Sequence, residues 1–569
     1  MAAQLNLHDI QGNVTRAYGR FSFPFARYLF FRIQTPAAGR AFVDAVRKQV
    51  TTSARWPEEA DKPACTVNIA FTFMGLYWLE VPDRTLQGMP DVFISGMRSR
   101  ASMLGDRDPT RTEDDDPDWD RDWDPIWRGN RKEGKGGAED VHILVTLNAQ
   151  PDLGGADPET PEGLARLSAP HPELEARTAW LKSLTGHGVE LIEANGKAGD
   201  QPYQAASAVF DAFDGLALPT AREHFGFTDG IGDPVFKGQY PPETEKTAVI
   251  GRGKRMGGDW APLEPGEFIL GHPGESQELP PTAMPPEFMQ NGTFMAYRKL
   301  HENVASFREV VDAEAAQYAE TMGVDLPQAK ETLLAKMCGR WSDGVPLAAV
   351  PGYDEWIALG TKLGWRDDTG AMLKTPIAWK KNVAYIRSPA ASDFRYADDM
   401  AGFKCPGGAH VRRMNTRDYL DPLNRFGIDP ETGKQFENPK ATHALNKRRR
   451  VLRRGLPYGP PNFEPRDDAS EQGVIMMVMG VDLFRQFEFV QQQWIQYGLD
   501  FHQGNNTCPM LGRHDHHTRH MIPSDPESGK PPYMMTRLKT FVECRGGDYF
   551  FVPSMIALRM IAMGIVDPT

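Results

Sequence analysis

Alternating or short apolar runs occur at four places before residue 200, and each run predicts a β-strand. The predicted strands are Ala26–Ile33, Cys65–Phe73, Val141–Leu147 and Val189–Ala194. Apolar residues at helical spacing predict helices over Ala37–Val50 and Pro161–Leu184. The resulting order, β-α-β-β-α-β with an insertion in the middle, is typical of a ferredoxin-like domain.

The second half of the chain repeats this strand-then-helix pattern. Strands are predicted at Thr293–Arg298, Gly473–Val481 and Phe541–Val552, and helices at Glu302–Glu320, Leu483–Trp494 and Pro553–Met563. The amino-acid sequence itself shows no internal repeat. A structural duplication can therefore be inferred only from the order of the elements.

Two segments interrupt the regular pattern. Asp106–Gly137 carries an acidic run with Trp119, Trp123 and Trp127, and it is predicted to be a surface insertion whose tryptophans serve packing. Pro241–Pro286 is rich in proline and glycine and predicts a long irregular excursion.

Composition and charge exclude several classes of protein. The 569 residues are 40% hydrophobic and 10% aromatic, which is ordinary for a globular protein of two or three domains. A net charge of −12 argues against a nucleic-acid partner. No apolar run reaches the roughly 20 residues that span a bilayer, and no targeting segment is evident. We therefore expect no membrane association and a cytoplasmic location.

The cysteines give no sign of disulfide bonds or structural zinc. There are five, and none forms a CxxC pair, which agrees with a reducing compartment. The absence of CxxCH means that any haem would be b-type rather than covalently attached.

Two distant segments carry candidate chemistry. In EHFGFTDGIGDP, Asp229 stands in the run Gly226-Phe227-Thr228-Asp229-Gly230, where glycines let the backbone approach a flat ligand. In CPGGAHVRRMN, His410 is a candidate haem iron ligand and Cys405 is a rival one. Taken alone, an Asp-Gly turn and a buried core histidine are the more common explanations of these residues.

Peroxide activation at haem needs an iron ligand, a proton carrier and a group that stabilises developing charge. His410, Asp229 and Arg453 are the candidates for these three roles. The local sequence does not decide whether Arg453 or Arg454 points inward. Arg298 shares a strand face with Phe294 by two-residue alternation and could turn inward to a haem propionate.

Six ordered motifs show a resemblance to a known family. GFTDG, NGTFMAYRKL, CPGGAHVRRMN, RRGLPYG, QFEFVQQQW and RGGDYFFVPS occur in this order, and with them the chain resembles the dye-decolourising peroxidase family, in its larger subgroup with insertions. The resemblance implies an α+β fold of two ferredoxin-like domains. Each would be an antiparallel sheet with peripheral helices, and the whole would be similar to a dimeric α+β barrel.

The resemblance also implies domains and roles. It places an N-terminal domain at 1–215 and a C-terminal domain at 216–569, which would hold most of the haem b. Asp229 falls on the family's distal aspartate, Arg453 on its distal arginine and His410 on its proximal histidine. The further residues expected to line the cofactor are Arg298, Gly226, Phe227, Thr228, Gly230, Val474 and Met476.

The implied activity is reduction of hydrogen peroxide through a ferryl porphyrin-radical intermediate, favoured at acidic pH. Small aromatic donors such as phenols or dyes would each give one electron, and a homo-oligomer stays open. The alternative is a haem-binding or haem-handling protein whose peroxidase activity is incidental. Nothing in the sequence names the physiological donor.

The chain departs from the family pattern at two places. Val474-Ile475-Met476 stands where the family often has Leu-x-Phe, which predicts a wider or more oxidisable distal pocket. An insertion is expected around Asp421–Asn446. The histidine-rich segment Arg513–His520 could bind a metal, although a surface loop is the favoured interpretation.

Overall fold

The computed structural model describes residues 5–58, 61–108, 110, 115–128, 139–256, 258–421, 423–424, 438 and 440–566. The predicted insertions at 106–137 and 421–446 lie partly outside these residues. Within the described ranges, no helix has the length and apolar character that a bilayer crossing requires.

A ten-stranded sheet forms the centre of the molecule. Its strands in the first half are β1 (Phe25–Ile33), β2 (Cys65–Phe71), β3 (Ile143–Ala149), β4 (Val189–Leu191) and β5 (Gln204–Ser207). Those in the second half are β6 (Thr293–Glu302), β7 (Leu452–Arg454), β8 (Pro457–Tyr458), β9 (Gly473–Gly480) and β10 (Val542–Val552). The strand predictions are confirmed within a few residues at each end.

The order of strands reveals the duplication. The path runs β7-β9-β6-β10-β2-β3-β1-β4, with β8 beside β9 and β5 beside β1. If each half is numbered separately, both have the antiparallel order 2-3-1-4 of a ferredoxin-like unit. The halves join where Phe71 of β2 pairs with Phe551 of β10. The expected pair of ferredoxin-like units is therefore present.

One face of each half-sheet contributes to a shared interior. Tyr28 and Phe30 of β1 lie with ring centroids 5.8 and 5.3 Å from that of Tyr297 on β6. All three side chains are almost fully buried. Since alternate residues of a strand point to opposite faces, the remaining positions face helices instead. This is the barrel-like arrangement that the resemblance implies.

Some helices cover the opposite faces of the half-sheets, and others pack in separate clusters beside the sheet. The longer ones are α1 (Pro36–Arg47), α2 (Glu173–Ser183), α3 (Val304–Met322), α4 (Leu326–Cys338), α5 (Tyr353–Leu363), α6 (Pro376–Arg387) and α7 (Met555–Met563). Between β9 and β10, Leu483–Glu488 and Val490–Ile495 wind with π-type hydrogen bonds. Side chains such as Phe42 and Val43 of α1 pack on the first half-sheet.

Several predicted boundaries were wrong. The helix predicted over Pro161–Leu184 is two helices, Pro161–Arg166 and Glu173–Ser183, because Pro170 and Pro172 lie between them. The strand β6 extends to Glu302, so the following helix begins at Val304. The excursion Pro241–Pro286 holds a short helix, Pro242–Ala248, and a hairpin of Lys254–Met256 with Asp259–Ala261.

The tryptophans of the acidic insertion pack as predicted. Trp123 and Trp127 are about 2% and 1% exposed, and the ring of Trp127 stands edge-on to Phe30. Trp119 lies 5.2 Å from Trp123 between ring centroids. The insertion thereby closes one end of the shared interior.

Candidate functional site

The loop that carries Asp229 is fixed by its backbone. The Asp229 N–H donates to the carbonyl of Ala221 at 2.8 Å, and Thr228 donates to the carbonyl of Ser342 through its N–H at 3.1 Å and its hydroxyl at 2.7 Å. Gly226 and Gly230 take φ values of 97° and 81°, which other residues adopt at a cost. A Cβ at Gly226 would meet no described atom within 4 Å, so the loop borders open space.

Asp229 lies between two guanidinium groups. Arg20 donates to Oδ2 at 2.8 Å, and Arg453 donates to Oδ1. Burial tends to raise the pKa of this carboxyl, but Arg453 and Arg20 outweigh burial and hold the pKa well below its usual range. Because the side chain is still 23% exposed, the carboxylate is both ionised and accessible.

Arg453 and Arg454 point in different directions, which settles the alternative that the sequence leaves open. Arg454 donates to the carbonyls of Asn13 and Val14 and to the carboxylate of Asp233. Those contacts bury it to 5% exposure in a structural position. Arg453 reaches Asp229 instead and keeps 34% of its side chain exposed.

The strand register places Arg453 on the helix-covered face of the second half-sheet. Arg453 pairs with Val478 of β9, and Val478 pairs with Ala296 of β6. Met476 and Arg298 pair with each other and lie two positions further along the same face. These side chains therefore share one side of the sheet.

A cavity of about 450 Å³ opens on this face. Arg298, Leu300 and Met476 form its sheet side. The opposite walls come from the π-wound helix, from the segment that follows it and from the acidic insertion. Their lining residues include Gln491, Gln496, Leu511, His514, Asp106 and Trp119. The volume lies within the range of cofactor and ligand pockets.

Arg298 faces the cavity with unused donors. Its side chain is 2% exposed and forms an ion pair with Asp106. Nε and Nη1 are buried, and neither has a hydrogen-bond partner among the described residues. Burial alone would lower the pKa of Arg298, but the opposing effect of Asp106 is larger. The pKa is therefore raised, and the guanidinium stays charged. Arg298 therefore lies inside the protein at the cavity, and its pairing with a haem propionate stays a prediction.

His410 begins a short helix, His410–Met414, and its Nδ1 lies 3.4 Å from Sγ of Cys508. Burial raises the pKa of the Cys508 thiol, but His410 and Arg413 lower it to about 7. The Cys508 carbonyl in turn accepts a hydrogen bond at 2.9 Å from Nε2 of His514, which lines the cavity. His410 is thus linked to the cavity wall, with Nε2 left to bind a ligand.

Cys405 is placed differently from His410. It is fully buried, and burial raises the pKa of its thiol to about 11. Its N–H donates to Asp399 at 2.8 Å, within a cluster that includes Arg412. A thiol in this setting stays protonated at neutral pH and is a poor iron ligand.

The histidines of the segment Arg513–His520 point apart. His520 lies 3.1 Å from the carbonyl of Lys336, and His514 is bound to backbone carbonyls. His516 and His517 are exposed and stack at 3.8 Å between ring centroids. No group of metal-binding side chains converges here or elsewhere in the described part of the chain.

The structure brings some predicted site residues together and leaves others apart. Asp229 touches Arg453, and Arg298 shares the cavity with Met476, but Val474 is 4% exposed and pairs with Leu300. Phe227 is buried and packs against Phe307, so it supports the loop from within.

Sequence reasoning missed Arg20, Asp106 and Cys508. Arg20 lies 209 residues from Asp229, in an N-terminal segment with no motif of its own. Asp106 lies in an insertion and Cys508 in an irregular loop. A buried charge pair between distant segments leaves no local pattern in the sequence. For Cys508 there was a signal, since it is a free cysteine just before the histidine-rich segment Arg513–His520.

The chain is similar to several known peroxidases. A family model described as the DyP dimeric alpha+beta barrel domain matches residues 9–139. Peroxidase 2 of Mycetinis scorodonius is 25% identical over 577 residues, which cover 98% of this chain and 87% of that protein. The multifunctional dye peroxidase DyP2 of Amycolatopsis is 26% identical over 63% of this chain and 65% of its own length.

Solved structures share the fold. A DyP-type peroxidase from Auricularia auricula-judae superimposes with a TM-score of 0.65 at 20% identity, covering 98% of this chain and 100% of that one. A dye-decolorizing peroxidase in complex with 2,6-dimethoxyphenol gives 0.64 at 21% identity, covering 98% and 100%. By its fold and by similarity over almost its full length, the chain is similar to dye-decolourising peroxidases, and its residues 9–139 match the dimeric alpha+beta barrel domain of that family.

Proposed function

We propose that the protein is a haem b peroxidase that reduces hydrogen peroxide and oxidises phenolic or dye-like donors. The observation that carries this proposal is the ionised Asp229 carboxylate held between Arg453 and Arg20 beside open space. A proton acceptor beside a cationic donor is the pair that breaking a peroxide bond requires.

Residues in and near the cavity fit a haem, although His410, Asp229 and Arg453 are not among those that line it. His410 would bind the iron through Nε2, since Cys508 occupies Nδ1. Arg298 would meet a propionate, because it lines the cavity of about 450 Å³ and its buried Nε and Nη1 have no hydrogen-bond partner among the described residues. Bound haem would supply the two electrons that break the O–O bond.

Asp229 would move the proton. Its carboxylate accepts a proton from one oxygen of hydrogen peroxide and donates it to the other, which then leaves as water. The lowered pKa keeps the acceptor form available in acid, where a histidine in the same place would be charged. This agrees with the expected preference for acidic pH.

Arg453 would stabilise the charge that develops on the leaving oxygen. Its guanidinium already touches Oδ1 of Asp229, so a peroxide bound there would meet acceptor and donor together. Arg20 would hold Asp229 from the other oxygen and keep it ionised.

The donors are proposed from a relative. A solved dye-decolorizing peroxidase was obtained in complex with a phenol, 2,6-dimethoxyphenol. We extend that substrate class to this chain.

Rapid mixing of the haem-loaded protein with one equivalent of hydrogen peroxide tests the activity. Prompt change of the haem spectrum, reversed by two equivalents of a phenol, would support the peroxidase. Slow bleaching without donor oxidation would instead support a haem-binding protein with incidental activity.

Replacing Arg453 by leucine should slow the reaction with peroxide roughly a hundredfold, since one charge-stabilising donor is lost. The second-order rate constant, measured by stopped-flow absorbance, checks this. Arg453→Lys is the matched variant: it keeps the charge but loses the planar fork and should fall between the two. A leucine variant as fast as the wild type would remove Arg453 from the mechanism.

Replacing Arg20 by glutamine should move the acidic limit of activity to higher pH. One of the two cations that lower the Asp229 pKa is then lost, so the carboxylate takes up a proton at a higher pH than in the wild type. The rate of the peroxide reaction, followed from pH 3 to 7, should fall earlier in the variant as the solution is acidified.

Arg16→Gln is the control for this shift. Arg16 lies in the same segment but donates to the carbonyl of Ala54 and stacks on Trp56, 4.1 Å from its centroid. Its loss should leave the acidic limit in place. If both variants shifted the limit equally, general surface charge rather than contact with Asp229 would be the cause.

A further inference from the structure

Two further carboxyl groups lie under the loop that carries Asp229. Glu223 precedes the loop and Glu302 ends β6, and they are 7% and 6% exposed. They are hydrogen-bonded to each other, and no ion pair to either is found among the described residues. Buried carboxylates without cations are costly, so this pair calls for an explanation.

Each carboxyl group is bound to the backbone of the loop. Glu223 accepts from the N–H of Phe225 at 2.8 Å and from that of Phe227 at 2.7 Å, one on each oxygen. Glu302 accepts from the N–H of His224 at 3.1 Å. Three backbone N–H groups of the loop therefore donate hydrogen bonds to these two side chains.

The contact between the two carboxyl groups requires a proton. An ionised carboxylate only accepts hydrogen bonds, so one of the pair must be the donor. Both oxygens of Glu223 already accept from backbone N–H groups, which stabilises its ionised form. Glu302 uses one oxygen as an acceptor and has the other free to carry the proton. The geometry assigns the donor role to Glu302.

The surrounding charges agree with one retained proton. Asp229 and Arg453 face the pair, Arg20 lies beyond Asp229, and the neutral groups are His224, Cys338 and Tyr458. With one proton on the pair, the two arginines balance Asp229 and one glutamate. Without it, the buried site would carry an excess negative charge.

Resting on the proposed function, we propose that Glu302 is a positioning residue whose proton, donated to Glu223, locks the loop that presents Asp229 to peroxide. Burial raises the pKa of Glu223 to about 7, and burial together with the Glu223 carboxylate raises the pKa of Glu302 well above its usual range, so the pair keeps a proton to higher pH than ordinary carboxyl groups do. Because these folded-state pKa values are raised, the stabilisation is present in acid and is lost as pH rises through them.

Two isosteric variants separate donor from acceptor. Glu302→Gln keeps an N–H for Glu223 and a carbonyl for His224, so the peroxide rate at pH 6 should stay within about threefold of wild type. Glu223→Gln puts an amide N–H against a backbone N–H, and the rate should fall roughly tenfold to a hundredfold as Asp229 shifts. Glu302→Ala should fall by a similar factor.

The pH dependence gives a second test. Above neutral pH, the wild type should lose peroxide rate and resistance to urea as the pair loses its last proton. Glu302→Gln has no such proton and should lose neither. The infrared band of a protonated carboxyl group, recorded on the folded protein, should be present in the wild type and absent from Glu302→Gln.

Other outcomes would overturn the proposal. These are an unchanged alkaline limit in Glu302→Gln, a glutamine at 302 as harmful as alanine, or a tolerated glutamine at 223. The infrared band and urea stability do not depend on peroxide turnover. Failure of the proposed function would therefore leave them intact, whereas failure of the shared proton would not.

Discussion

A His410→Ala variant should fail to retain haem. His410 is the side chain proposed to bind the iron, and Arg298 alone would hold the cofactor at its edge. After reconstitution, we expect haem affinity to fall at least about a hundredfold, since even supporting contacts around metal ligands are worth 10- to 100-fold. Haem absorbance per protein after gel filtration measures this, and peroxidase activity should disappear with it.

Cys405→Ser is the matched control, because Cys405 is the rival ligand in the same motif. The thiol is buried and protonated, and Cys405 binds Asp399 through its backbone N–H, which serine retains, so loss of the thiol should leave haem in place. The reduced carbon monoxide complex offers an independent measurement. An absorption maximum at the position of thiolate-ligated haem, or haem lost from Cys405→Ser alone, would assign the iron to Cys405.

An Asp229→Asn variant should react with hydrogen peroxide about 10² to 10⁴ times more slowly. An amide cannot take a proton from peroxide, and general acid–base groups contribute in this range. Although the bridge between Arg20 and Arg453 would also lose its charge, the variant should still fold and bind haem. Stopped-flow rates between pH 3 and 8 check the loss at every pH.

Asp233→Asn is the comparison for Asp229→Asn. Asp233 lies in the same motif and binds the Arg454 side chain at 3.0 Å. It also accepts from the Arg453 backbone N–H at 3.2 Å but does not bind the Arg453 guanidinium. Its loss should affect stability more than the peroxide rate. Equal rate losses in both variants would mean that the loop as a whole, rather than the Asp229 carboxylate, is what matters.

Local sequence patterns were enough to predict the strands and the side of the sheet on which Arg298 lies. Two-residue alternation follows from the geometry of a strand, so the buried face of a strand can be recognised in the amino-acid sequence. The motifs around Asp229 and Arg453 added what alternation could not, namely that two distant segments meet. Their contact in the structure is consistent with the roles expected for them.

Other features depended on contacts that no local pattern records. The partners of Asp229 and Arg298 come from segments 209 and 192 residues away. The pairing of Glu223 with Glu302 depends on where β6 ends, and strand ends are poorly defined by alternation. The π-type winding after Leu483 was predicted as an ordinary helix because the two differ little in apolar spacing.

The reach of Arg20 into the site has a consequence for how the protein assembles. Arg20 belongs to the predicted N-terminal half, residues 1–215, and Asp229 to the predicted C-terminal half, residues 216–569, so neither predicted half would hold the complete site. If the two halves were produced as separate polypeptides, Asp229 would have its full charge environment only after they associate. Recovery of activity at low pH on mixing would then report the docking of one half onto the other.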